Sequence, residues 1–161
     1  MKKLVFIALI FLSVICSQAK DPLSLESGSL KELANAANTV YFTVDYSNAV
    51  VHNDGNEYSL DGYLEHRGPD FVADWNRDSA KAYSYIPVRF NQKNKKGAQA
   101  LMTEGKHDIT GTVCLTDIDF GNGAGAFNPF GGAKAGGCII SGKLVFTNAD
   151  NTEIAVLPFS E

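Results

Sequence analysis

The sequence predicts an α/β (α+β) fold in which one mixed sheet of four to five strands carries two or three helices on one face. Two observations lead to this fold class. Runs of β-branched and aromatic residues lie near the start and in the last third of the chain, and helical periodicity fills the segment between them. That order favours a right-handed crossover between parallel strands. No internal repeat or domain boundary interrupts it, so we expect a single domain.

The N-terminal segment has the parts of a secretory signal peptide. Two lysines precede an apolar run that ends at Cys16, and Ser17-Gln18-Ala19 places small residues where signal peptidase reads them. The run is shorter than the roughly 20 apolar residues of a transmembrane helix. Ile15 stands where a lipoprotein signal has a small residue before its cysteine. We expect a signal peptide over 1–19 with cleavage after Ala19, no lipid on Cys16 and no transmembrane anchor.

The predicted mature chain, 20–161, is acidic. Removal of 19 residues from 161 leaves 142, and the signal takes two of the 14 basic residues with it, so the mature formal charge is −6. A chain with no basic surplus does not displace counterions from phosphates, which argues against nucleic acid as a partner. A signal peptide on such a chain indicates the periplasm or cell envelope.

The first elements are predicted by local signals. Ser29 and Glu32 have the spacing of a capping box, which predicts a short helix up to about Asn38. Alternating apolar residues from Thr39 predict a strand that continues toward Val51. The turn residues at 53–56 end it.

The middle of the chain is predicted to be helical and the end to be β. Ser59 or Asp61 can begin one helix and Asp70 can cap a longer one, with a break at Pro87 and an end at Gly97. The segments 107–120, 138–147 and 153–159 read as three strands of a meander.

The mature chain keeps two cysteines, Cys114 and Cys138. An even number in an oxidising compartment is compatible with one disulfide. Two buried thiols that pack as small hydrophobic groups are the alternative. Spacing alone does not choose between them, because it does not give the Cβ geometry.

The segment 121–137 contains seven glycines in 17 residues and carries Phe127 and Phe130. The glycines do not make a dinucleotide site, because the residues after them cannot open a helix that would receive a pyrophosphate. A hairpin loop is expected instead. Its two phenylalanines either contact a partner or fold back onto the domain, and folding back is the simpler interpretation.

No motif in the sequence indicates a catalytic, cofactor-binding or metal-binding site. The nucleophile elbow, the C-x-x-C pair and the H-E-x-x-H spacing are all missing from the sequence. Asp117 and Asp119 share a strand face, but the distal glutamate of the recurrent calcium loop is lacking. Trp75, with Tyr46 and Tyr63, forms either a glycan-binding surface or part of the core, and the core is the better interpretation for Trp75. The chain is therefore not predicted to be an enzyme.

Several short motifs resemble a family of small secreted proteins from Bacteroidetes-type bacteria. These motifs are Asp45-Tyr46-Ser47-Asn48 on the first strand, Trp75 on a helix, Arg89-Phe90-Asn91, and a glycine-interrupted final hairpin. The strand–helix–strand order is also similar to the N-terminal α/β domain of TolB. These resemblances imply an exported α/β domain and supply no catalytic or binding residues, since fold does not carry function.

The function expected from the sequence is that of a non-enzymatic cell-envelope module that binds another protein. The sheet edge or the glycine-rich loop would make the contact. A small-ligand or oligosaccharide-binding domain is the alternative, and a hydrolase without a recognisable motif is a third possibility.

Overall fold

Eight strands in one open mixed sheet and three helices make up the described part of the chain. The computed structural model describes residues 25–36, 38–95, 97–119 and 139–160. The strands are β1 (Ser27–Gly28), β2 (Thr39–Asp45), β3 (Val50–Asn53), β4 (Asn56–Ser59), β5 (Gln99–Ala100), β6 (Ile109–Asp119), β7 (Ile139–Asn148) and β8 (Glu153–Ser160). The helices are α1 (Leu30–Ala36), α2 (Leu60–Arg67) and α3 (Pro69–Lys93). These residues form a single mixed α/β domain, as predicted, but with more strands than the four to five expected.

The long strands lie at the centre of the sheet, in the order β1–β8–β7–β6–β2–β5. β6, β7 and β8 are consecutive antiparallel neighbours, which confirms the predicted meander. β2 pairs with β6 in parallel, from Val40 opposite Ile109 to Asp45 opposite Cys114. The helical segment therefore connects two parallel strands, as the element order indicates.

The first long strand does not continue to Val51, contrary to the prediction. The chain leaves the sheet after Asp45, whose carboxylate accepts a hydrogen bond from the backbone N–H of Ser47 at 2.8 Å. It returns as β3, which pairs with β6 further along, where Val50 lies opposite Asp117. A local side-chain turn thus competes with the ladder and divides one predicted strand into two.

The turn predicted at 53–56 is present, and it joins β3 to β4 in a hairpin that the sequence analysis did not predict. Asp54 has φ 50° and Gly55 has φ 81°, so both central residues adopt the positive φ of a type I′ turn. Three strands were not predicted at all. β4 is the second strand of this hairpin, whereas β1 and β5 have two residues each and exist only through their distant partners. Together with the division of one predicted strand into β2 and β3, they raise the four predicted strand segments to eight strands.

Helix α3 passes through Pro87 without the predicted break. Proline removes one helical hydrogen bond, but Pro87 and its neighbour Ile86 are both buried against the domain. Burial of apolar side chains offsets the lost bond, and the helix continues to Lys93 rather than to Gly97.

The helix starts are partly as predicted. The Ser29 hydroxyl accepts a hydrogen bond from Glu32 N at 3.3 Å, and the Ser59 hydroxyl accepts one from Gly62 N at 3.1 Å. Asp70 is not the cap of α3. Pro69 takes the first helical position and leaves Asp70 inside the first turn, because a proline there loses no hydrogen bond.

The core lies between the helices and one side of the sheet. Phe42 of β2 contacts Phe90 of α3 edge-on, with ring centroids 5.2 Å apart, and also contacts Phe146 of β7. Gly111 lies between these rings, because a Cβ there would come within 2.8 Å of Phe42. The phenylalanines thus fill the space that a glycine leaves on the pleated surface.

Candidate functional site

Part of the predicted site lies outside the described residues. Cys138, Phe127 and Phe130 all belong to this part, so the disulfide and the interaction loop stay predictions. Cys114 is described and lies half-buried on β6. Burial, with the nearby Asp45 charge, raises the pKa of the Cys114 thiol, which makes it less reactive at neutral pH.

The aromatic residues singled out from the sequence lie mainly in the core. Trp75 is 5% exposed and Tyr63 is 1% exposed. The ring of Tyr46 lies 6.2 Å from Trp75 and 5.9 Å from Tyr83, measured between ring centroids. Burial raises the pKa of Tyr46 to about 12, and a hydrogen bond with Ser79 partly offsets this effect. Trp75, Tyr46 and Tyr63 therefore do not form an exposed platform for a sugar ring.

A histidine lies between two carboxylates beside the end of β6. His52 Nε2 is 3.3 Å from Asp117 Oδ1, and His52 Nδ1 is 3.6 Å from Glu57 Oε1. All three side chains reach solvent. Across the described ranges, no cluster of three or more histidine, cysteine or acidic residues has an arrangement that could hold a metal ion. We interpret these contacts as pairing of the β3–β4 hairpin with β6.

The outer edge of β2 carries backbone groups that no described strand pairs with. On the β5 side, Val40 O accepts a hydrogen bond from Leu101 N at 2.8 Å, whereas Thr39 O faces β6. Successive residues of a strand direct their backbone groups to opposite sides, so Phe42 and Val44 share the outer side with Val40. β5 pairs with β2 only at Thr39 and Val40. Beyond Val40 the edge thus presents two N–H and two C=O groups.

The neighbouring edge, on β5, is closed by a side chain. Ala100 N donates to Asn91 Oδ1 at 2.6 Å, and Asn91 Nδ2 donates to Ala100 O at 2.9 Å. The amide of Asn91 therefore imitates a paired strand residue and satisfies both outer backbone groups of Ala100, which is buried. Asn94 adds a hydrogen bond from Nδ2 to Ala98 O at 2.9 Å.

The opposite edge of the sheet, on β8, is closed in a different way. Ile154 O and Val156 O accept hydrogen bonds from Ser29 N and Glu26 N, so the even-numbered residues of β8 face outward. Pro158 shares that side and has no N–H to offer a further strand. Among the described residues, no amide cap or proline lies at the β2 edge beside Phe42 and Val44. The short strand β4, which pairs only with β3, forms a further edge of the sheet.

Sequence reasoning did not find this edge. The motif Arg89-Phe90-Asn91 stands out in the sequence, but only the structure shows that Asn91 forms hydrogen bonds with the backbone of Ala100. The local sequence gives no signal for this contact, because Gln99 and Ala100 have no strand propensity of their own.

A second feature is a small cleft of about 260 Å³ between α1 and the C-terminal end of α3. Its walls are mostly apolar and include Leu30, Leu33, Val40, Phe90 and Phe146. This volume lies just below the range typical of small-molecule sites.

Within the described residues, no helix is both long enough and apolar enough to cross a membrane.

Comparison with protein-family models, with curated proteins and with solved structures gives no match to this chain.

Proposed function

We propose that this chain is an exported, non-enzymatic module of the cell envelope that binds another protein by adding a strand to the outer edge of β2. The observation that carries the proposal is the pair of residues Phe42 and Val44, whose backbone groups face outward beside an edge that Asn91 closes. An extended partner segment would gain up to four backbone hydrogen bonds there. A sheet edge left without protection is the ordinary site of such pairing.

The side chains along this edge also suit strand addition. Tyr41, Thr43 and Asp45 lie on the face away from the helices, and each is half-buried. They would lie beside alternate side chains of the added strand, which is how sheet edges obtain specificity. Phe42 and Val44 pack on the helical side and keep the edge in place.

The export part of the proposal rests on the sequence. The positive start, the apolar run and Ala19 before Lys20 indicate a cleaved signal peptide and an envelope or periplasmic location.

The test is photo-crosslinking in the envelope of cells that export the protein. A photo-reactive residue at Tyr41, beside the free edge, is compared with one at Val145, in the middle strand β7. We expect a discrete crosslinked species from position 41 and none from position 145. Mass spectrometry of that species would identify the partner.

A matched pair of variants shows whether backbone pairing is the cause. Val44→Pro removes an outward N–H without removing a hydrogen bond to β6, as Pro158 does in β8. Val44→Ala loses similar packing but keeps the N–H. We expect the crosslink to disappear with Val44→Pro and to persist with Val44→Ala. A crosslink that survives Val44→Pro in folded protein would contradict strand addition.

The cleft between α1 and α3 favours a second candidate function, the binding of a small apolar ligand. Leu33→Trp would fill the cleft. A ligand that raises the melting temperature of the wild type but not of Leu33→Trp would support this alternative, since only native-state binding stabilises.

A further inference from the structure

The guanidinium group of Arg67, at the end of α2, is held in one position by its neighbours. Its Nη1 donates a hydrogen bond to the hydroxyl of Tyr63 at 3.1 Å. Its central carbon lies 4.6 Å from the ring centroid of Phe71 and 5.7 Å from that of Tyr63. A planar cation that is already oriented loses less conformational entropy when it binds a planar anion.

Most of the hydrogen-bonding capacity of Arg67 remains available. A guanidinium group has five N–H donors, and within the described part of the chain Arg67 donates one hydrogen bond, to Tyr63. The side chain is exposed, and no carboxylate of the described residues lies within ion-pairing distance of it. Arg77, by contrast, pairs with Asp74 at 2.8 Å and with Asp78 at 2.9 Å.

This difference is informative because the chain is acidic. It has 18 acidic residues against 14 basic ones, so carboxylates outnumber the cations that could pair with them. An arginine fixed by two aromatic rings, with donors directed to solvent, is the usual residue for bidentate recognition of a carboxylate. A purely structural role explains the hydrogen bond from Arg67 to Tyr63, but it gives no partner among the described residues to the other N–H donors.

We infer that Arg67 is a recognition site for a carboxylate, supplied by an aspartate or glutamate side chain of the protein partner. The inference rests on the proposed function, that the chain binds another protein, and it adds the charge that the partner carries. A side-chain carboxylate fits because it accepts two parallel N–H donors from one guanidinium group. His66, the residue before Arg67, is exposed and stacks on Tyr58 with ring centroids 5.5 Å apart.

The test is an NMR titration of the ¹⁵N-labelled exported protein with a hexaglutamate peptide, read at the side-chain Nε–Hε resonances of arginine. We expect the Arg67 resonance to shift in a saturable way that weakens with added salt. The Arg77 resonance is the internal control, because its guanidinium already has two carboxylate partners. Hexaglutamine is the uncharged peptide control.

Two variants separate recognition from folding. Arg67→Lys keeps the charge but loses the planar fork, so we expect weaker binding with the melting temperature little changed. Tyr63→Phe frees the guanidinium from its hydrogen bond, and we expect the affinity to fall without loss of the charge. Equal shifts at Arg67 and Arg77, or full binding by Arg67→Lys, would overturn the inference.

Two further comparisons identify the source of the carboxylate. A shift of the Arg67 resonance with oligogalacturonate and none with hexaglutamate would make the ligand an acidic sugar and overturn the assignment to a protein side chain. If Arg67 responds to hexaglutamate while crosslinking at Tyr41 fails, strand addition at β2 is wrong and the carboxylate site stands.

Discussion

Asn91→Ala would remove the side-chain amide that satisfies both outer backbone groups of Ala100. The two hydrogen bonds measure 2.6 Å and 2.9 Å and are partly buried, and Ala100 is 5% exposed, so water would replace them only incompletely. A buried polar group that loses its partner costs about 1–3 kcal/mol. Two fully buried groups would together cost about 2–6 kcal/mol, and because these groups are partly buried we expect the free energy of unfolding to fall by about 2–4 kcal/mol.

Urea unfolding and calorimetry measure this loss, which corresponds to a melting temperature lower by roughly 6–15 °C for a domain of this size. Gln92→Ala is the matched control, because Gln92 is exposed on the same helix and accepts only from Arg89. We expect Gln92→Ala to change the free energy of unfolding by no more than about 0.5 kcal/mol. If Asn91→Ala costs no more than Gln92→Ala, the amide does not hold β5 and the description of this edge fails.

Three further predictions concern packing, ionisation and export. Gly142→Ala would place a Cβ 2.3 Å from Cys114 O, so urea unfolding should show a loss of about 1–3 kcal/mol from overpacking. Since burial raises the pKa of Tyr46 to about 12, its contribution to stability is complete below the unfolded pKa of about 10 and is lost as the pH rises toward 12. Unfolding of Tyr46→Phe should show less of this alkaline loss, and an unchanged pH profile would refute the assignment. N-terminal sequencing of exported protein should begin at Lys20, and an intact Met1 in the envelope fraction would contradict cleavage.

Local patterns in the sequence were enough to predict the long strands, apart from the end of β2, and the helix caps at Ser29 and Ser59. The alternation of buried and less buried residues through β6 and β7 follows from a sheet that packs on one side, whereas β8 is buried at four consecutive residues, from Ile154 to Leu157. The turn at Asp54 and Gly55 follows from residues that accept positive φ. The capping serine, Ser29, donates its own backbone N–H to Ile154 O, so the local signal and the distant contact agree there. Each of these features depends on residues close together in the chain.

The features that escaped prediction depend on distant contacts. β1 and β5 are strands only because they lie beside β8 and β2, and no propensity distinguishes two residues. Pro87 stays within α3 because the burial of Pro87 and Ile86 offsets the hydrogen bond that a proline removes from a helix. The candidate site is a sheet edge, and a strand is an edge when no other strand pairs with one of its sides. A sequence pattern does not show which strands pair with each other.

Amide hydrogen exchange of the exported protein, resolved by residue along β2, tests most directly whether this edge is free. Tyr41 and Thr43 direct their N–H groups to β6, whereas Phe42 and Val44 direct theirs outward. The account predicts slow exchange at Tyr41 and Thr43 and fast exchange at Phe42 and Val44, with the fast pair becoming protected when the crosslinked partner is added. Equal protection at all four residues in the free protein would show that the edge is already covered, and would contradict strand addition at β2.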